Sequence, residues 1–408
     1  MKQLIFLTGE INSSFFLNEI QYLCKCFDEI IVLAYNGDKS KCDEVAQKYN
    51  FKYEFINADS SLIKVIPNFI IWCFHSHVTE EFKTIVKTKN GFKKSLYLLA
   101  YGFYSCKTKK VLDKYINGTM SDVYLYSFWL SRFAYTIAQY NINRNSKIKK
   151  IVSRAHGYDL YEERNPLCYL PFRSFIAKNI DEIYFISEAG KKYFEKKNYS
   201  SNARKDKYKI SYLGTNNKIY SFKEKKKNIK IVIASCSSII QVKRLDLIID
   251  FISMFNPESI RWIHLGAGKL TDKIMEYAKN TLKCTYKFYG NVRNEDILSI
   301  YAKENVDFFV NLSDSEGIPV SIMEAMSLGI PVIARNVGGI SEIVINKYNG
   351  LLLEQAENLS SVFHDLCQEI NTIYDTTYNS MAFNAYQTWK NSFNAHQNYC
   401  EFVTSLIK

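Results

Sequence analysis

Residues 311–350 read NLSDSEGIPVSIMEAMSLGIPVIARNVGGISEIVINKYNG. An apolar strand ends near Ser313, a polar turn (SDSEG) follows, and a helix is expected over about 319–328. Pro319 suits the first helical turn, where its missing N–H costs nothing. Gly329 ends the helix, and PVIAR begins the next strand. A strand–loop–helix–strand unit of this kind belongs to a parallel α/β sheet. It places Glu316 in the loop and Glu324 eight residues on, in the helix. The helix start leaves the N–H groups of Gly317, Ile318 and Val320 to bind anionic or hydroxyl oxygens. A carboxylate at Glu324 suits a vicinal diol such as ribose. The plainer reading makes Glu316 a cap and Glu324 a solvated helix residue.

Outward from this unit, short apolar runs alternate with helix-length amphipathic segments. In the first half, strands are expected at 3–8, 29–35, 122–127, 149–155, 181–187 and 208–213, with a helix at 15–27. A polar, Lys-rich break at 214–229 interrupts the pattern. It restarts with strands at 231–237, 260–265, 285–289, 306–312 and 331–335, and the tail 376–408 reads as helices. Two tandem parallel-sheet domains are implied, with ligands at the strand carboxyl ends. The boundaries expected are 1–218, 219–385 and a C-terminal helix at 386–408 packing back on the first domain. In the second domain, Lys243 and Arg244 open a helix after a small-residue loop containing Ser235, Ser237 and Ser238. WIHLGAG (262–268) half-resembles a dinucleotide fingerprint but lacks its third glycine, which argues against NAD.

Of 408 residues, 53 are Lys or Arg and 41 Asp or Glu, for a net charge of +12. Residues 1–220 hold 34 basic and 21 acidic side chains, the remainder 19 and 20, so the excess lies in the first half. A basic half can serve an anionic membrane, a phosphorylated acceptor or nucleic acid, or be a solvated face. No nucleic-acid-binding motif accompanies it, and nucleic acid is not expected as a partner. The ten cysteines are scattered without metal-ligand spacing, so no metal site is expected and a reducing cytoplasm fits. The opening MKQLIFLTGE reads as a buried strand rather than a signal peptide. The most apolar run, 62–74, falls short of the ~20 residues that span a bilayer.

Glu316 and Glu324 resemble the E-x7-E motif of family 4 glycosyltransferases, and EGIPVSIMEAMSLGIPVIA and VGG share that family's style. The resemblance implies a GT-B fold, two Rossmann-like domains facing across a cleft. It also implies retention of anomeric configuration, a nucleotide-sugar donor (UDP-linked is expected) and no cofactor or metal. By this resemblance Glu316 holds sugar hydroxyls and Glu324 the nucleoside. Lys243 matches the phosphate-binding lysine. The family's arginine, five or six residues earlier, is here replaced by Ser238 and Ser237, and Arg244 is the candidate to compensate. Gly266 resembles the family's strand-to-glycine turn, and Gly290, Asn291 and Val292 the loop that meets the nucleobase. Gly317, Ile318, Pro319 and Val320 complete the donor set.

SRAHGYDLYEERN (153–165), GEINSSFFLNEIQYL (9–23), YSFWL (126–130) and YLGTNN (212–217) resemble members that assemble bacterial surface polysaccharides. Residues 60–115 are the least recognisable. His156 is the carry-over that approaches the donor sugar, with Gly157 allowing close backbone approach. Asp159 is expected to meet an acceptor hydroxyl, Arg154 or Arg164 an acceptor phosphate, and Gly9 and Glu10 the cleft mouth. Catalysis is thus expected from His156, Lys243 and Glu316, in a metal-independent hexosyltransferase acting on a saccharide or lipid-linked acceptor. The enzyme is expected in the cytoplasm, peripheral on the inner face of the membrane. A non-catalytic GT-B-like partner protein and a sugar-nucleotide epimerase are the alternatives.

Overall fold

A computed structural model describes residues 1–56, 65–197, 199, 205–217, 221–226, 228–354 and 359–408. The chain divides into two compact units, 1–211 with 399–408, and 212–398. The boundary expected at 218/219 falls on residues outside those described.

The first unit holds a seven-stranded, all-parallel sheet. Its strands are β1 (Lys2–Thr8), β2 (Glu29–Ala34), β3 (Lys52–Phe55), β4 (Asp122–Ser127), β5 (Ile148–Ala155), β6 (Glu182–Phe185) and β7 (Tyr208–Ile210). Their order is β3-β2-β1-β4-β5-β6-β7. β1 is buried from Gln3 to Thr8, as strands covered on both faces must be. On one face Ile5, Leu7, Leu33, Leu125 and Ile151 share a core with Trp72, Leu98 and Leu112. On the other, Phe6 stacks on Phe16 and Tyr126, and Tyr126 meets Phe402 of the last helix, Ala395–Ile407. Of the tail expected at 386–408, residues 399–408 count with this unit.

The second unit repeats the plan with six parallel strands: β8 (Ile231–Cys236), β9 (Ile260–Leu265), β10 (Thr285–Phe288), β11 (Phe308–Asn311), β12 (Val332–Arg335) and β13 (Gly350–Leu353). The order β10-β9-β8-β11-β12-β13 reverses direction between β8 and β11. A crevice opens at such a switch point, beyond the strand ends. Two strands, β3 and β13, are absent from the sequence expectations; each is four residues long and lies at a sheet edge. The region expected to be least recognisable holds helices Ile66–Cys73, Ser76–Val86 and the 27-residue Gly91–Asn117. No helix among the described residues is long and apolar enough to cross a membrane.

Candidate donor and acceptor sites

The second unit's site grows from two loops at its switch point. Past β8, residues 237–240 lead into a 3-10 turn, Gln241–Lys243. Past β11, the chain turns through Ser313–Gly317 before the helix Val320–Ser327, so Pro319, expected in the first helical turn, stands at its N-cap. A backbone bond from Asp314 N–H to the Val242 carbonyl (2.9 Å) ties the loops together. Lys243 and Glu316 consequently meet: Nζ lies 2.6 Å from Oε1, which also accepts from Asn311 Nδ2 at 3.3 Å. The ammonium has three donors and this pair uses one, leaving the others for phosphate oxygens. Glu316 is buried; its Oε2 makes no hydrogen bond among the described residues.

Gly338 locks this loop. Its φ is +59°, and a Cβ there would lie 1.9 Å from the Glu316 carbonyl oxygen. The next residue donates to the Gly317 carbonyl at 3.0 Å. Asn311, Asp314 and Gly338 were not among the expected site residues; the VGG run was the one signal for the last.

Glu324 is half-buried on the helix Val320–Ser327. Burial pushes its carboxyl up to about 8. Its neighbours are the Cys236 thiol at the end of β8, pushed to about 12 by burial and then by Glu324, and the Tyr301 hydroxyl, raised by burial, then by Cys236 and then by Glu324. That hydroxyl is buried and faces the Cys236 thiol. A carboxyl with no cation beside it, facing such groups, is under-satisfied, and hydroxyl donors from a ligand would complete it.

Arg244 does not offer itself to a phosphate. Its guanidinium is held by Asp246 (2.9 Å) and Asp314 (3.2 Å), and Arg335 reaches the same Asp314 at 2.6 Å. Ser238 is exposed, with its carbonyl accepting from Ile240 N–H. Gly266 (φ +132°) must be glycine because a Cβ would sit 1.9 Å from the Ser237 carbonyl oxygen. Its N–H donates to the Gly290 carbonyl at 2.8 Å, bringing the Gly290, Asn291 and Val292 loop beside the β8 and β9 ends. His264 behind them is a fixture: Nδ1 pairs with Ser235 Oγ at 2.8 Å, and burial lowers its pKa to about 4.

In the first unit, His156 follows β5 and packs between Phe128 (4.8 Å) and Trp129 (4.4 Å). Both ring nitrogens are buried without a hydrogen-bond partner. Two expected acceptor ligands prove structural. Asp159 is wholly buried, its oxygens accepting from His156 N–H (2.9 Å) and Leu130 N–H (2.7 Å). It fixes the turn that carries His156. Arg154 is also wholly buried, paired with Glu19 at 3.0 Å and bonded to Ser211 at 3.1 Å. The β5 pleat turns its side chain onto the sheet face, toward Phe402 at 4.1 Å, instead of toward the strand end. Arg164 crosses Gly157, with Nη1 2.4 Å from where a Cβ would stand, a contact that the flexible arginine end could give way to. The Arg164 guanidinium lies over Tyr161 at 4.4 Å. Gly9 has open space around it, and Glu10 is exposed just beyond β1.

Residues 216–372 match the family described as Glycosyl transferases group 1. An uncharacterised glycosyltransferase of Methanocaldococcus jannaschii is 30% identical over 200 residues, 49% of this chain and 53% of that protein. The O-antigen biosynthesis glycosyltransferase WbnH of Escherichia coli is 31% identical over 134 residues, 33% of this chain and 34% of its own. The chain thus matches about half the length of the first relative and a third of the second. Among solved structures, Anabaena Alr3699/HepE in complex with UDP and glucose superposes with a TM-score of 0.65 at 17% identity, covering 99% of both chains. The fold is GT-B, two parallel-sheet α/β domains.

Proposed function

We propose that this chain is a retaining, metal-independent glycosyltransferase that moves a sugar from a UDP-linked donor to a saccharide or lipid-linked acceptor in surface polysaccharide synthesis. The observation that carries this reading is the Lys243–Glu316 pair at the switch point of the second unit, beside the partnerless carboxyl of Glu324. Lys243 meets the charge that the diphosphate gains as the glycosidic bond breaks. Glu316, with the N–H groups of Gly317, Ile318 and Val320, holds sugar and phosphate oxygens. Glu324 grips the ribose diol, and Gly290, Asn291 and Val292 border the base. His156 touches the sugar, and a donor phosphate oxygen takes the acceptor proton. The match to the glycosyl transferases group 1 and the likeness to an O-antigen enzyme support the class and the pathway.

The test is thermal shift with a panel of nucleoside diphosphates on the wild type, Lys243→Ala and Glu324→Ala. UDP should stabilise the wild type alone. No shift with any nucleotide would turn the reading to a non-catalytic GT-B-like partner, and a nucleotide-dependent sugar rearrangement without acceptor to an epimerase.

A membrane-surface location is part of the same proposal. Ile66, Ile70, Ile71 and Phe74, with Phe92 and Leu96 on a neighbouring helix, are exposed. Lys83, Lys87, Lys89 and Lys93 are exposed on the same stretch of chain. Apolar side chains flanked by lysines suit an anionic bilayer, at roughly 1 kcal/mol per lysine. Vesicles rich in phosphatidylglycerol should co-float with the protein at low salt, and Ile70→Asn with Phe92→Ser should abolish it. Equal flotation with phosphatidylcholine alone would discard the charge component.

A further inference from the structure

The C-terminal edge of the first unit's sheet carries a cation with no counter-charge among the described residues. Arg132, half-buried, begins the helix Arg132–Ala138 just past β4. Its guanidinium lies over Tyr104 at 4.5 Å, Tyr35 at 4.6 Å and Tyr101 at 5.9 Å. Tyr35 follows β2 and stacks on Phe133 at 4.3 Å. Three other arginines of this unit end on oxygen, Arg144 on Asp181, Arg154 on Glu19 and Arg173 on the Leu130 and Asp159 carbonyls, while Arg164 lies over Tyr161. Arg132 ends on rings. It forms no ion pair among the described residues, and the group it faces through its N–H edge is the neutral Tyr35 hydroxyl. A guanidinium held by rings and a neutral hydroxyl keeps its full charge uncompensated.

The surroundings favour a negative ligand. The ionisable groups acting on Tyr35, Tyr97 and Tyr101 include Arg132 and Arg173 but no carboxylate. The aromatic wall continues from there: Tyr158, exposed, acts on Tyr35 and Tyr97, lies 6.4 Å from Trp129, and Trp129 lies 4.4 Å from His156. All of these follow the carboxyl ends of β2, β4 and β5 or line them, which is where ligands of such sheets bind. Ring faces hold a guanidinium in place while leaving N–H groups for a two-pronged grip.

We propose that Arg132 is an oxyanion subsite of the first unit, binding a phosphate or a sugar carboxylate of the acceptor beside the aromatic faces of Trp129 and Tyr158. The word acceptor rests on the glycosyltransferase reading; the anion subsite does not. This role replaces the one expected of Arg154, whose charge is sealed in the core.

Trp129 supplies a local probe, because Trp72, Trp262 and Trp389 are buried and Trp129 is partly exposed. The full chain, held in saturating UDP, is titrated with inorganic pyrophosphate and separately with glucuronate, and tryptophan emission is read. A saturable change is expected with one of them, absent in Trp129→Phe. Arg132→Gln should weaken it at least tenfold, and Arg132→Lys, which keeps the charge but not the fork, should fall between. A response to pyrophosphate alone assigns phosphate, and to glucuronate alone a sugar carboxylate. Equal binding by wild type and Arg132→Gln, or no saturable response to either anion, overturns the subsite. UDP binding, read on the same samples without either anion, should be unchanged in Arg132→Gln. Its absence in the wild type would sink the glycosyltransferase reading and leave the anion result standing.

Discussion

Two cation–glutamate pairs, one in each unit, use the same chemistry to opposite ends. Arg154 and Glu19 lie 3.0 Å apart with neither side chain exposed. Lys243 and Glu316 lie 2.6 Å apart with 23% and 9% exposed. The first pair spans from a strand to the helix that covers it, walled by Phe402, so no ligand can reach it. The second lies past the ends of β8 and β11, on the loops that follow them. Position along the strand, more than residue type, decides whether such a pair holds the fold or holds a ligand. A charge on the sheet face must be neutralised by the protein itself. A charge beyond the strand end can keep donors in reserve.

The comparison breaks if the two pairs respond alike to mutation. Glu19→Gln keeps the shape and strands a guanidinium in the core, which costs about 3–5 kcal/mol. Urea unfolding of the first unit should register that loss, while UDP binding by the protein that remains folded is unchanged. Lys243→Met should do the reverse. Losing a charge-assisted bond to phosphate costs about 1.5–3 kcal/mol, roughly ten- to hundredfold in UDP affinity. Lys243 is partly exposed and Glu316 keeps its bond from Asn311, so the unfolding midpoint should move less than in Glu19→Gln. Weak UDP binding in Glu19→Gln, or a large stability loss in Lys243→Met, would erase the distinction.

What the sequence made legible follows the same division. Glu316, Glu324 and Lys243 could be read because the features that place them are local: a proline cap, a glycine stop and a short loop after an apolar strand. Arg154 was misread for want of one pleat. It sits next to the His-Gly pair that ends β5, and a period of two sends it to the face while its neighbours go elsewhere. Arg132 escaped because its partners come from separate stretches: Tyr35 follows β2, and Tyr101 and Tyr104 lie on the long helix. That helix, Gly91–Asn117, mixes lysines with apolar residues around its circumference and so shows no clean helical stripe. The missed strands β3 and β13 are short edge strands, and β3, only partly buried, lacks the apolar run that marks the central ones.

Glu324 offers the finest test of whether the second unit's site is left open for a ligand. Its carboxyl titrates near 8 in the folded chain because burial disfavours the charge, against an ordinary value of 4.5. The sign follows from proton binding. Between pH 4.5 and 8 the unfolded chain has lost this proton and the folded chain keeps it, so stability falls as pH rises through that window. Glu324→Gln removes the titration. The variant should therefore gain on the wild type between pH 5 and pH 8 when their melting temperatures are compared without nucleotide. A ribose diol that donates to the ionised carboxylate favours the charged form, so saturating UDP should pull the wild type's titration downward and shrink the difference. If the gap between variant and wild type does not change with pH, the carboxyl is already satisfied by the protein, and Glu324 belongs with Arg154 among the groups that hold the fold.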